Sequence, residues 1–142
     1  MRLLSRTAAL VLCLAATTGC IAAGATCREA TEFVPRLCPS GLPAVAALKV
    51  EWPRACASFA LGPRGARRFF ARAWKLDDPR GEGAVERSPC AADGTLRLAD
   101  GRTAKWRIEQ IGTATLVFDA TGERLTLLCP ECHFAPFPPF TP

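Results

Sequence analysis

Histidine occurs once in this 142-residue chain, at His133, and methionine once, at Met1. A lone histidine beside two cysteines offers no separate base and orienter for a nucleophile, so hydrolase chemistry finds no footing. Once Met1 is lost with a leader, neither common second axial ligand for a haem iron remains. No glycine-rich phosphate loop is present, because Gly62-Pro63-Arg64-Gly65 lacks the required spacing. No apolar run is long enough for a membrane span; the longest begins at Ala8 and is broken soon after Ala16. Hydrophobes are nearly missing from 77–90, which reads as a surface loop. Internal repeats are also lacking. Asp93-Gly94-Thr95 and Asp100-Gly101-Arg102 look alike locally, a similarity that turn chemistry explains without duplication.

Charge is present but mild. The formal net charge is +5, and loss of Arg2 and Arg6 with a leader lowers it to +3. Arginine greatly outnumbers lysine, yet the basic residues are scattered along the chain. That pattern describes a solvated surface and not a nucleic-acid or anionic-lipid patch.

Residues 1–25 carry the three parts of a secretory signal: Arg2 and Arg6, the apolar run, and then small residues. Ala23-Gly24-Ala25 is an A-x-A cleavage site that leaves Thr26 first. Thr17-Thr18-Gly19-Cys20 resembles a bacterial lipobox. Gly19 fits the small residue wanted before the cysteine, whereas Thr17 departs from the usual leucine. This resemblance implies a leader of 1–19 and a lipid on Cys20, which would be an anchor and not a span.

Export fixes how the eight cysteines are read. Cys13 falls in the apolar run, and Cys20 is either lost or lipidated. Cys27, Cys38, Cys56, Cys90, Cys129 and Cys132 remain, an even number, and an oxidising compartment makes them disulfide candidates. Cys27 and Cys38 pair by proximity. A sheet that curls would bring Cys90 to Cys129 or Cys132, with Cys56 taking the cysteine left over. What remains after the leader is one domain, large enough to bury a core that bridges reinforce.

The strongest structural signal is Thr103-Ala104-Lys105-Trp106-Arg107-Ile108-Glu109, an unbroken alternation with Thr103, Lys105, Arg107 and Glu109 on the wet face. Short strands at 95–98, 113–119 and 123–129 complete a four-stranded antiparallel meander. Asp100-Gly101 predicts a two-residue type I′ turn. Upstream, 26–43 reads as a covalently pinned loop, broken by Pro35, Pro39 and Pro43. Strands are expected at the end of 44–52 and over 55–61. Gly62–Gly65 is a turn signal. Ala66, Phe69, Phe70, Ala73 and Trp74 fall on one helical face, which predicts a helix over 66–76 stopped by Asp77-Asp78-Pro79. A hairpin partner to 55–61 is the rival reading for that stretch. In the tail, 134–142, prolines favour polyproline II and would align Phe134, Phe137 and Phe140 along an edge that packs back on the sheet.

Cys129-Pro130-Glu131-Cys132-His133 carries three possible chemistries. It matches the attachment pattern of c-type haem, with His133 as ligand. It resembles the thioredoxin-like Cys-x-x-Cys, although a proline-rich tail follows in place of a helix, and Glu131 would raise a thiol pKa. Cys90, Cys129, Cys132 and His133 are also a zinc ligand set. The purely structural reading is disulfide stitching. The fold expected is mainly β, an antiparallel meander forming a small partial barrel or sandwich, with one short helix and disulfide staples. The domain proper is 44–133. The expected role is a non-enzymatic exported cell-envelope protein, with no cofactor and a structural or binding role toward another protein or envelope component. The alternative is a redox or haem protein built on the terminal motif.

Overall fold

A computed structural model describes residues 25–51 and 56–139. The expected leader through Gly24, with the lipidation candidate Cys20, lies outside the described residues, as do Trp52 and Phe140.

Seven strands form one open antiparallel sheet: β1 Leu37–Pro39, β2 Val45–Glu51, β3 Trp74–Leu76, β4 Ala91–Leu98, β5 Thr103–Glu109, β6 Thr113–Phe118 and β7 Arg124–Leu128. Their order is β1-β3-β7-β6-β5-β4-β2. The expected meander is therefore present as β4 to β7, each strand paired with the next. Its first strand begins four residues earlier than the sequence suggested. Asp93-Gly94-Thr95 lies inside β4 and is not a turn. A Cβ on Gly94 would collide with the Lys49 carbonyl oxygen and the Trp106 indole, so this position is kept bare by close approach. The turn at Asp100-Gly101 also differs. Gly101 alone takes positive φ, at 90°, and donates to the Leu98 carbonyl, while the Leu98 N–H reaches Arg102. That is a three-residue loop closed by a left-handed glycine, and not type I′.

The helix α1, Pro63–Arg72, starts and ends earlier than its periodicity implied. Pro63 sits at the first helical position, where its missing N–H costs nothing and its fixed φ suits the helix. The 62–65 turn signal is thus the helix start. Ala66, Phe69 and Phe70 are buried as expected. Ala73 turns extended, and Trp74 begins β3, pairing with Leu128 of β7 and Pro39 of β1. A vacant place between β1 and β7 outweighs the helical pattern. The stretch 56–61 is not a strand, yet Phe59 and Leu61 are both buried. Alternation there identified the buried side chains without the ladder.

One sheet face, with Leu96, Leu98, Ala104, Trp106, Ile108, Ala114, Leu116 and Leu127, packs under α1, the 56–61 segment and the C-terminal tail. Phe70 meets Trp106 edge-on, with centroids 6.0 Å apart. The tail turns back, with the Phe137 N–H donating to the Phe134 carbonyl. This places the Phe137 ring 5.4 Å from Phe59 and 5.8 Å from Phe69. The expected packing back is present, but a turn at 134–137 replaces a polyproline II run.

The opposite face is not simply wet. The hydrophobe-poor loop lies across its lower half, with Glu82 accepting from the Thr126 hydroxyl at 3.0 Å. Glu109, expected to face water, is 2% exposed. Its carboxylate receives the Ser88 N–H at 2.6 Å and the Arg87 guanidinium at 2.8 Å. Burial of such a group is tolerated because these partners replace water.

Candidate functional site

All six cysteines among the described residues are paired: Cys27–Cys38, Cys56–Cys90 and Cys129–Cys132. The first follows from proximity. The expected links from Cys90 to Cys129 or Cys132, and from Cys56 to a C-terminal cysteine, are overturned. Cys90 and Cys129 do flank the same end of the sheet, but three strand spacings separate them, about 14 Å, and a disulfide needs Cα atoms within about 7 Å. The sheet stays open, with β1 and β2 as its edges. Cys56 enters beside Cys90 at a Cα separation of 5.3 Å instead.

This pairing changes the chemistry of the terminal motif. Cys129 and Cys132 are both buried, joined across a tight turn in which the Cys132 N–H reaches the Cys129 carbonyl. In this form their sulfurs are spent on each other. The motif then offers neither thiols for haem vinyl groups nor thiolates for zinc, and Cys90 is withdrawn from the zinc set by Cys56. His133 is exposed beside a cleft of about 590 Å³ that Glu86, Gln110 and Ile111 also line. Glu131 is held 2.6 Å from Arg28, whose guanidinium lies 4.0 Å above the Trp74 ring. The motif thereby ties the C-terminal turn to the N-terminal segment.

The second notable constellation lies in the N-terminal segment, where the sequence shows no more than a pinned loop. Residues 28–37 form a hairpin closed by Cys27–Cys38, with Arg28 and Leu37 exchanging both backbone hydrogen bonds. At its tip, the Thr31 N–H donates to the Val34 carbonyl and the Thr31 hydroxyl accepts the Val34 N–H. Arg80 braces the tip from outside, donating to the carbonyls of Glu32 and Val34, each at 3.3 Å. Arg80 is itself fixed by Asp78, whose buried carboxylate takes two guanidinium bonds at 2.8 and 2.9 Å. It also accepts the N–H groups of Arg80 and Arg36. The Arg80 side-chain hydrogen bonds hold the Asp78 carboxyl well below the usual carboxylate range, outweighing the upward push of burial. Asp77-Asp78, expected to stop a helix, is thus a clasp, with Asp77 bonded to Arg36 at 2.9 Å. Cys27, Cys38 and Asp77 gather ligand atoms within 4.8 Å, but two of the three are the bridged sulfurs. β1 also corrects the sequence reading, since Pro39 tolerates its place on an edge strand.

What this bracing presents is Phe33, 86% exposed, with Val34 next to it also exposed. Sequence reasoning missed Phe33 because nothing in its spacing marks it. Only the register of the hairpin puts it at the tip.

No family model, curated protein or solved structure matches this chain.

Proposed function

We propose that this chain is an exported, non-enzymatic cell-envelope domain that binds another protein through its N-terminal hairpin, with Cys20 as a candidate lipid anchor. The observation that carries this reading is the braced hairpin tip. A large aromatic held out in water costs free energy unless something covers it. Here it is held by a disulfide, a side-chain cap and an arginine clasp. Ordering paid for in advance is what lets a small anchor residue bind tightly. Glu32, next to Phe33 in the tip, favours a protein cleft with a basic rim over an anionic membrane. The three disulfides fit an oxidising compartment, and among the described residues no helix is long and apolar enough to cross a membrane.

The test is a photo-crosslinking amino acid at position 33 in producing cells, with position 111 as an exposed apolar control. The expected result is one adduct specific to position 33. Its partner, once purified, should bind the native chain about tenfold or more tightly than Phe33→Ala. Equal labelling from both positions, or equal affinities, contradicts the reading.

A second reading, thiol–disulfide exchange, is favoured by one observation: Cys129 and Cys132 bond each other beside an open cleft. Their burial slows attack by an incoming thiolate, which is why it ranks second. Reduction of this pair by a dithiol before Cys27–Cys38 would move it to first.

A further inference from the structure

The basic residues look scattered in sequence, but the fold collects four of them. Arg87, Lys105, Arg107 and Arg124 line one cavity of about 210 Å³ on the outer face of the sheet, with Asp93 as its one acid. Register explains the gathering. Lys105 and Arg124 both pair with Val117, from opposite sides, and Arg107 pairs with Thr115. The two outer positions of such a row lie about 10 Å apart across three strands, within reach of long side chains that converge on one small group. Arg87 is delivered from the loop above.

Each arginine is steadied at one end only. Asp93 holds Arg107 through Nη1 alone, at 3.1 and 3.2 Å. Glu109 holds Arg87 through Nη2, and Glu82 lies 3.7 Å from Nη1 of Arg124. Glu109 and Glu82 are outside the lining. The remaining N–H donors of a guanidinium stay available in a fixed plane, the arrangement suited to oxyanions. Lys105 makes no ion pair among the described residues and is exposed.

A second observation points the same way. Thr115 is 8% exposed and lines this cavity. Its hydroxyl has no hydrogen-bond partner among the described residues, yet it is not sealed from solvent. This hydroxyl therefore opens to solvent at the cavity, whose walls carry the four cations.

We infer that this cavity binds a phosphoryl-type oxyanion, with Lys105 and the free ends of Arg107, Arg87 and Arg124 as charge partners and the Thr115 hydroxyl as a floor donor. The volume admits a phosphate monoester group or a phospholipid headgroup, and the chemistry of recognition is the same for both. Being on the sheet face, the site does not depend on the hairpin, so its failure leaves the hairpin reading untouched.

The test is a titration of the full, oxidised chain with inorganic phosphate at constant ionic strength, followed by backbone amide NMR shifts, with chloride as the control anion. Saturable shifts centred on Lys105, Arg107 and Thr115 are expected. Lys105→Ala should weaken binding about tenfold, and Thr115→Val about threefold to tenfold. Lys49→Ala, on β2 outside the cavity, should leave it unchanged, and thermal melts of all three variants confirm folding. A parallel arm uses phosphatidylcholine vesicles with and without phosphatidylglycerol. Binding to the anionic vesicles much tighter than to free phosphate, lost in Lys105→Ala, supports a headgroup as the source. Phosphate saturation without vesicle binding supports a small molecule. Linear, unsaturable shifts with both probes, or equal weakening by Lys49→Ala and Lys105→Ala, overturn the inference.

Discussion

Asp78 shows how much one buried side chain organises. Its two oxygens collect bonds from Arg80 and from the Arg36 backbone, so one carboxylate joins the loop after β3 to the hairpin. The charged form is what these donors favour. Its folded pKa is lowered, chiefly by the Arg80 hydrogen bonds. For a depressed carboxyl the sign is fixed. The contribution to stability is present in full above the unfolded value of about 3.9, and is lost as pH falls from there through the lower folded value. Asp78→Asn should therefore be less stable than the native chain at neutral pH. The gap between the two should close as the solution is acidified below about pH 4. Denaturant titrations at a series of pH values check this, and parallel stability curves would refute it. Asp100 is also lowered, first by the Arg102 backbone N–H, so the comparison with the asparagine variant is needed to isolate the Asp78 share.

Segments of the chain differ in how openly they declare themselves. Alternation over 103–108 reads directly because β5 is paired along both edges and only one of its faces meets the core. Where a pattern serves two masters it misleads. Trp74 extends a helical face in sequence, but backbone groups on two neighbouring strands take it instead. Phe59 and Leu61 alternate like a strand and are buried like one, without pairing. Glu109 looks like a wet-face residue because the loop that covers it, at Ser88, lies 21 residues earlier and has no pattern of its own. Prolines in the tail suggested an extended helix; the Phe134–Phe137 turn forms because two aromatic rings gain more by entering the core. Burial of a phenylalanine is worth roughly 1.5–3 kcal/mol, and its removal leaves a void besides. Phe137→Ala should therefore destabilise by about 3 kcal/mol in equilibrium unfolding. A loss under about 0.5 kcal/mol would mean that the tail is not part of the core.

For the molecule as a whole, the presence of disulfides was legible, and most of their pairing was not. Counting left six thiols and fifteen pairings; Cys27–Cys38 follows from proximity, whereas Cys129 and Cys132, 3 residues apart, each read as a partner for Cys90. The other two depend on a fact that sequence does not carry. The sheet stays open, with Cys90 and Cys129 at the ends of strands three places apart, while the segment after β2 delivers Cys56 to Cys90. Likewise, Phe33 and the cationic cavity emerge only from register. The bridges span 11, 34 and 3 residues, so they restrain the unfolded chain unequally, by about 2–4 kcal/mol for the first two and less for the last. Together they fasten the hairpin, the crossover and the C-terminal turn to a sheet that already has its own core.

The most direct measurement is peptide mapping of the non-reduced chain, recovered from producing cells after free thiols have been blocked. Linked peptides joining Cys27 to Cys38 and Cys56 to Cys90, with Cys129 bonded to Cys132 and no blocked thiol among the six, are predicted. A bridge from Cys90 to Cys129 or Cys132, or six blocked thiols on a chain that still carries its leader, would contradict the account.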